Sequence, residues 1–306
     1  MVHPISGHPL ACHRSRSAFR IEFDAGMAMS FRTKLGFLIA LTVSIVIACL
    51  IIALADTRPD PRPVVLFVGD SHTEEGTNPS LNGWVAMLQR RYVGTDVITR
   101  AFPGYNTKWF LKYVAPTIAQ ESRKSIYPTP SLITIWFGSN DAALANGTAS
   151  KTHVPIVEYK KNLVAIARIF QIAAPTAALL LITPPHINDS ARVTIAAEQN
   201  GTIDRTNAMS SSYARACVEV GAALHVPVLD LNLHFNTMPE TTRNALLLAD
   251  GLHLNALGNL QVESLLGSKL AFEFPELEGD FRIPQFPAAS QYVREDPWNS
   301  ERSSRE

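Results

Sequence analysis

Two rhythms of apolar and polar positions alternate along most of this chain. Val64–Val68 is an unbroken apolar run, rich in β-branched and aromatic residues, that stops at Gly69-Asp70-Ser71. Strand-like runs recur at Asp96–Ala101, Leu132–Phe137, Ala177–Ile182 and Val226–Leu231. Between them, Gly83–Tyr92, Thr107–Ala119, Val157–Ala173 and Thr202–Ala222 carry helical spacing, and a last helix is expected over Ala256–Ala271. Apolar strands separated by helices predict an α/β domain: a parallel sheet of five strands with helices on both faces.

One apolar run is of another kind. Leu35–Ala55, LGFLIALTVSIVIACLIIALA, holds no charge and matches the roughly 20 residues needed to cross a bilayer core as helix. Arg14, Arg16, Arg20, Arg32 and Lys34 precede it against Glu22 and Asp24, whereas the charges that follow it cancel. Positive-inside bias makes residues 1–34 a cytoplasmic segment and 35–55 a transmembrane anchor, with the main domain lumenal or extracellular. The rival is a cleaved signal and a secreted domain, since Ala53-Leu54-Ala55 has the small-x-small form of a cleavage site. The run exceeds the usual signal core of about 7–15 residues, which favours the anchor. Residues 56–63, DTRPDPRP, read as a stiff linker. The domain is expected over 64–274, and 275–306 as a Pro-rich, then polar tail, packed at most through Trp298.

Composition narrows the classes. Among 306 residues, 46% are hydrophobic and 18% charged, enough for a core and unlike a disordered chain. Lys+Arg and Asp+Glu both number 27, so no charge excess points to nucleic acid. Of Cys12, Cys49 and Cys217 only the last falls in the domain, which excludes an internal disulfide there. N-x-S/T triads at Asn146, Asn188 and Asn200 suit a lumenal domain and would carry glycan only if exposed there.

In open parallel sheets, ligands bind beyond the carboxyl ends of the strands. The residues there are Gly69-Asp70-Ser71, Phe102-Pro103-Gly104-Tyr105-Asn106 and Gly138-Ser139-Asn140-Asp141, and Asp250-Gly251-Leu252-His253 precedes the last helix. Taken singly, these are turns and caps. Together they supply a reaction. A serine hydroxyl needs a base, and His253 titrates near neutrality. Asp250, three residues earlier, can fix the imidazole tautomer. The backbone N–H groups of Ser71 and Gly104 and the Asn140 amide can hold an oxyanion. Asp70 and Asp141 read as braces. His153 is a helix cap or cleft-wall residue, His186, His225 and His234 read as surface or loop residues, and Trp84, Trp109 and Trp136 as core.

This ordered set resembles the SGNH hydrolases, also called the GDSL esterase/lipase family. Ser71, Gly104, Asn140 and His253 stand at that family's four named positions, with Asp250 completing the triad. The resemblance implies a three-layer α/β/α, flavodoxin-like fold and hydrolysis without metal or organic cofactor. The blocks GWVAML, GYNTKWF, WFGSNDA, HVPIVEYKKNL, LLITPP, YARACV, VPVLDL and DGLHLNALGN, spread over residues 62–270, are similar to the isoamyl-acetate-hydrolysing branch. That similarity implies small acetate-type esters as substrates. Two departures stand out. His72 follows the nucleophile where the family usually carries an aliphatic residue; it either lines the acyl pocket or points to solvent, the latter being the expectation. The amino-terminal run is foreign to the branch's compact soluble enzymes. Two alternatives remain: a deacetylase of acetylated carbohydrate on the same machinery, or an inactive membrane-bound binding module.

Overall fold

The computed structural model describes residues 31–55, 62–286 and 288–290, with side chains in the first stretch over 35–49. The segment before residue 31, most of the 56–63 linker, and Trp298 lie outside the described residues. The chain divides into two units, Met1–Asp60 and Pro61–Glu306.

The first unit contains helix α1, Phe31–Ala55, of 25 residues. Among the described residues, no helix is long and apolar enough to cross a membrane.

The second unit begins with β1 (Val64–Gly69), buried at every position, followed by the short helix α2 (Ser71–Glu74) and by α3 (Trp84–Arg91). Next come β2 (Asp96–Ala101) and a continuous helix α4 over residues 107–123, which passes through a π-helical turn at Phe110–Val114. Then follow β3 (Leu132–Trp136), α5 (Ile156–Ala173), β4 (Ala178–Ile182), α6 (Asp189–Glu198), α7 (Asn207–Leu224) and β5 (Val228–Leu229). Helices α8 (Leu231–Asn236), α9 (Glu240–Asn244), α10 (Ala256–Glu273) and α11 (Pro275–Arg282) close the fold.

The sheet has five strands in the order β2-β1-β3-β4-β5, all parallel. This is the flavodoxin-like order of doubly wound sheets. Alternate residues of β1 face opposite layers. Leu66 and Val68 pack with Phe110 of α4, Leu163 of α5 and Cys217 of α7. Val65 and Phe67 pack with Trp84 of α3 and Leu266 of α10. With both faces covered, the central strands lose the in–out alternation of a half-exposed strand, which is why they read as continuous apolar runs.

Three expectations change. Helix α7 starts at Asn207, not Thr202, because Thr206 leaves helical geometry and caps it through Met209 N–H at 3.2 Å. Helix α6 is not among the expected elements: half of its residues are apolar, but none is buried, and they form no strong apolar stripe. The domain also extends past 274: Phe281 of α11 is fully buried, its ring 5.5 Å from that of Tyr92, and its carbonyl accepts from Gly94 N–H at 2.9 Å.

Candidate active site

Sheet order reverses around β1, which lies between β2 and β3, and a crevice opens at such a switch point beyond the carboxyl ends. Ser71 lies at this point as the first residue of α2. Asp70 caps that helix, its Oδ1 accepting from His72 N–H at 3.0 Å. A first helical residue has no intrahelical acceptor for its N–H. Among the described residues, the Ser71 N–H donates to no backbone carbonyl.

His253 Nε2 lies 2.9 Å from Ser71 Oγ, and His253 Nδ1 lies 2.6 Å from Asp250 Oδ2. The other carboxylate oxygen of Asp250 accepts from Leu252 N–H at 2.9 Å and His253 N–H at 3.0 Å. The turn is tight at Gly251, where φ is +66° and a Cβ would meet the Ala191 methyl at 2.6 Å and the Asn188 carbonyl at 2.9 Å. The Gly251 carbonyl accepts from Asn188 N–H at 2.9 Å, so α6 holds the turn that carries the imidazole.

Charge follows geometry. Burial alone would raise the Asp250 carboxyl, but hydrogen bonds from the His253 ring and from the N–H groups of Leu252 and His253 hold it down at about 2. Burial opposes the imidazolium of His253, yet Asp250 raises its pKa above the ordinary value. The pair therefore favours a proton on His253 after it leaves Ser71.

Gly104 has φ +77°, and a Cβ built there would meet nothing within 4 Å. Glycine is required by the backbone conformation, and the space beside its Cα is open. Asn140 sits after β3, donating Nδ2–H to the Tyr105 carbonyl at 3.0 Å. Phe102 and Tyr105 of the Gly104 loop and Trp109 in the first turn of α4 form a half-buried aromatic row, with ring centroids 5.2 and 6.2 Å apart. Trp109 is thus not the core residue expected, whereas Trp84 and Trp136 are fully buried.

Asp70 and Asp141 brace the loops, as read from sequence. Asp141 accepts from Thr107 N–H and Oγ1, tying the start of α4 to the end of β3. Burial pushes both carboxyls up to about 7.

His72 corrects an expectation. It does not point to solvent: it is 2% exposed, with its ring stacked on Trp136 at 5.3 Å and lying 5.6 Å from the His253 ring. Burial pushes its pKa down to about 3, and the His253 charge adds to this, so it is neutral near pH 7. His186 is likewise buried, its Nε2 2.7 Å from the Arg243 carbonyl. His153 Nδ1 bonds the Ala143 carbonyl at 2.6 Å, and His225 ends α7 at φ +54°. Among the described residues no group of three or more His, Cys, Asp or Glu is placed to hold a metal ion.

Three charged residues at the site escaped sequence reading: Arg192, Asp204 and Arg205. Arg205 donates to the Asn140 Oδ1 at 2.8 Å, and Arg192 to the Asp250 carbonyl at 2.8 Å. They obey no periodicity, and only the position of Asp204-Arg205 directly before the α7 cap set them apart.

The fold and this rim define a class, a doubly wound parallel-sheet protein with a hydrogen-bonded serine–histidine–aspartate chain outside the sheet edge. The GDSL-like Lipase/Acylhydrolase family matches over residues 67–260, and the chain belongs to it. By that membership it is a carboxylic ester hydrolase. It is similar to a GDSL esterase/lipase of Arabidopsis thaliana, 36% identical over 69% of this chain and 87% of the relative. An isoamyl acetate-hydrolyzing esterase 1 homolog of Bos taurus is 35% identical over 68% of this chain and 81% of its own. Among solved structures, an acetylxylan esterase of Geobacillus stearothermophilus shares the fold at TM-score 0.53 and 18% identity, covering 70% of this chain and 96% of that one.

Proposed function

We propose that the chain hydrolyses small, acetate-type carboxylic esters through an acyl-enzyme on Ser71. His253 takes the hydroxyl proton as Oγ attacks the ester carbonyl carbon, and the negative oxygen is held by the N–H groups of Ser71 and Gly104 and the Asn140 amide. The ester C–O bond then breaks, and the alcohol leaves with the proton from His253. A water molecule repeats the sequence: His253 takes its proton, the hydroxide adds to the acyl carbon, and Ser71 leaves with the proton as the acid is released. Asp250 holds the imidazole and stabilises its charged form throughout. The observation that carries this reading is the unbroken Ser71–His253–Asp250 hydrogen-bond chain, at 2.9 and 2.6 Å. The acetate preference is supported by the isoamyl acetate-hydrolyzing homolog among the relatives. The charge-free sequence run 35–55 and the basic excess before it support attachment to a membrane with the catalytic unit lumenal or extracellular.

A fluorophosphonate probe on the full chain tests the nucleophile. Wild type is expected to label, Ser71→Ala to lose labelling and His253→Ala to label far more slowly. A folded wild type that neither labels nor turns over any short-chain ester would overturn the reading in favour of an inactive binding module. Rates on isoamyl acetate and on acetylated xylose decide between the simple ester and the deacetylase alternative. Protease protection of the carboxyl-terminal unit in sealed vesicles tests the topology.

A further inference from the structure

Asn140 is the one oxyanion donor proposed above that is a side chain, so its amide must be turned one way and kept there. Two neighbours set that direction independently. Its Oδ1 faces the Arg205 guanidinium at 2.8 Å, which can only donate, and its Nδ2 faces the Tyr105 carbonyl at 3.0 Å, which can only accept. A flipped amide would lose both bonds and point an oxygen at an oxyanion. Nδ2 carries a second N–H beyond the one given to Tyr105.

Arg205 is fixed in turn. Its Nε donates to the Ser139 carbonyl at 2.9 Å and its Nη1 pairs with Asp204. Asp204 accepts from Arg192 Nε at 2.9 Å and Nη2 at 2.7 Å, and Arg192 Nη1 reaches the Asp250 carbonyl at 2.8 Å. The chain of contacts therefore runs Asn140–Arg205–Asp204–Arg192–Asp250. Side-chain exposure is 11% for Arg192 and 9% for Asp204 and Arg205, so solvent screens these charges little. Each nitrogen of Arg205 meets a different acceptor group, a fan of bonds that a lysine cannot reproduce.

We propose that Arg205 is a positioning residue for the oxyanion hole, acting through the Asn140 amide, and that the Arg192–Asp204 pair ties it to the turn carrying Asp250. The proposal rests on the esterase reading, which gives Asn140 its role. It makes Arg205 a determinant of kcat that never touches the substrate.

The test is a mutant cycle in the full chain, read as kcat and KM on a short-chain acetate ester, with thermal melts alongside. Asn140→Ala should lower kcat about 10²–10³-fold. Arg205→Met should lower it about 10–100-fold with KM within about threefold, because transition-state stabilisation alone is lost. The double variant Asn140→Ala/Arg205→Met should be no slower than Asn140→Ala. Arg205→Lys keeps the charge without the fan and should lose nearly as much as Arg205→Met; it carries the test if Arg205→Met does not fold. Independent, multiplying losses in the double variant, or full activity in Arg205→Lys, would overturn the proposal. Crystal structures of wild type and Arg205→Lys read the amide without any turnover. A turned or displaced Asn140 amide above an unchanged triad supports the role, and an unmoved one overturns it. A wild type without esterase activity would sink the esterase reading, and the crystallographic comparison would still judge Arg205.

Discussion

Two polar regions meet at Ser71 and are built on opposite rules. In front of it, Asp250, His253, Asn140, Arg205 and Arg192 form a nearly continuous set of bonds between 2.6 and 3.0 Å. Behind it, Asp70 Oδ2, both His72 ring nitrogens, Thr73 Oγ1 and Trp136 Nε1 are buried with no protein partner. Buried polar groups are ordinarily hydrogen-bonded, and each unpaired one costs about 1–3 kcal/mol. The catalytic groups of the front region are thus oriented by protein partners, while these side-chain atoms of the back region have none. The difference teaches where precision is concentrated in this fold: on the groups that meet the reacting atoms, with destabilising groups tolerated one residue away.

The largest break comes from the front. Asp250→Asn leaves a similar shape and removes the charge that selects the His253 tautomer, and kcat should fall about 10⁴-fold. In wild type, His253 must be neutral to act as base, and Asp250 raises its pKa above 6.5. Activity should therefore fall as pH drops through a value above 6.5, and in Asp250→Asn the residual activity should keep this limb at lower pH. Stability is linked in the opposite sense: with its carboxyl held at about 2 against an ordinary 3.8, Asp250 stabilises the fold above that range, and the contribution fades as pH falls toward 2. An unmoved kinetic limb in a folded Asp250→Asn would mean that another group sets it.

A smaller break tests the back region through Asp70. Burial raises its carboxyl from 3.8 to about 7, so the folded state holds a proton that the unfolded chain releases. Stability should then fall between pH 4 and 7 by an amount on the order of a few kcal/mol, and stay low above. Asp70→Asn keeps the acceptor for His72 N–H and removes the ionisation. Urea melts should show it stabilising the chain more at pH 8 than at pH 5. Equal effects at the two pH values would mean that the carboxyl is solvated in the fold.

The two regions also differ in how far the chain announces them. The strands and the three loops at their ends are legible because each strand is a compact apolar run and each loop begins where it stops, and the Asp250–His253 turn is legible because the last helix begins just after it. Ser71, Gly104, Asn140, Asp250 and His253 follow from that frame plus the chemistry of acyl transfer. The supports do not. Helix α6 carries Arg192 and holds the Gly251 turn, yet none of its ten residues is buried and only half are apolar, so no strong apolar period marks it. Arg205 looks like a surface charge until the Ser139 carbonyl and Asn140 amide close on it. The burial of His72 was missed for the converse reason. A histidine after a nucleophile reads as polar, but its position on α2 directs the ring onto Trp136, where an aliphatic residue would fit the same space.

That last point is the finest test of the contrast. His72→Leu removes two buried nitrogens without partners and keeps an apolar surface against Trp136. The gain from ending their desolvation is about 1–3 kcal/mol, and the lost ring stacking offsets about 0.5–1.5 kcal/mol of it. The net should be a stabilisation of about 1 kcal/mol, read as a higher urea midpoint with an unchanged slope. His72 donates nothing to Ser71 or to the oxyanion donors, so kcat should stay within about threefold of wild type. A destabilised His72→Leu would mean that the ring nitrogens are solvated after all. A large loss of kcat with stability intact would move His72 to the front region, as a group acting on His253 across the 5.6 Å between the two rings.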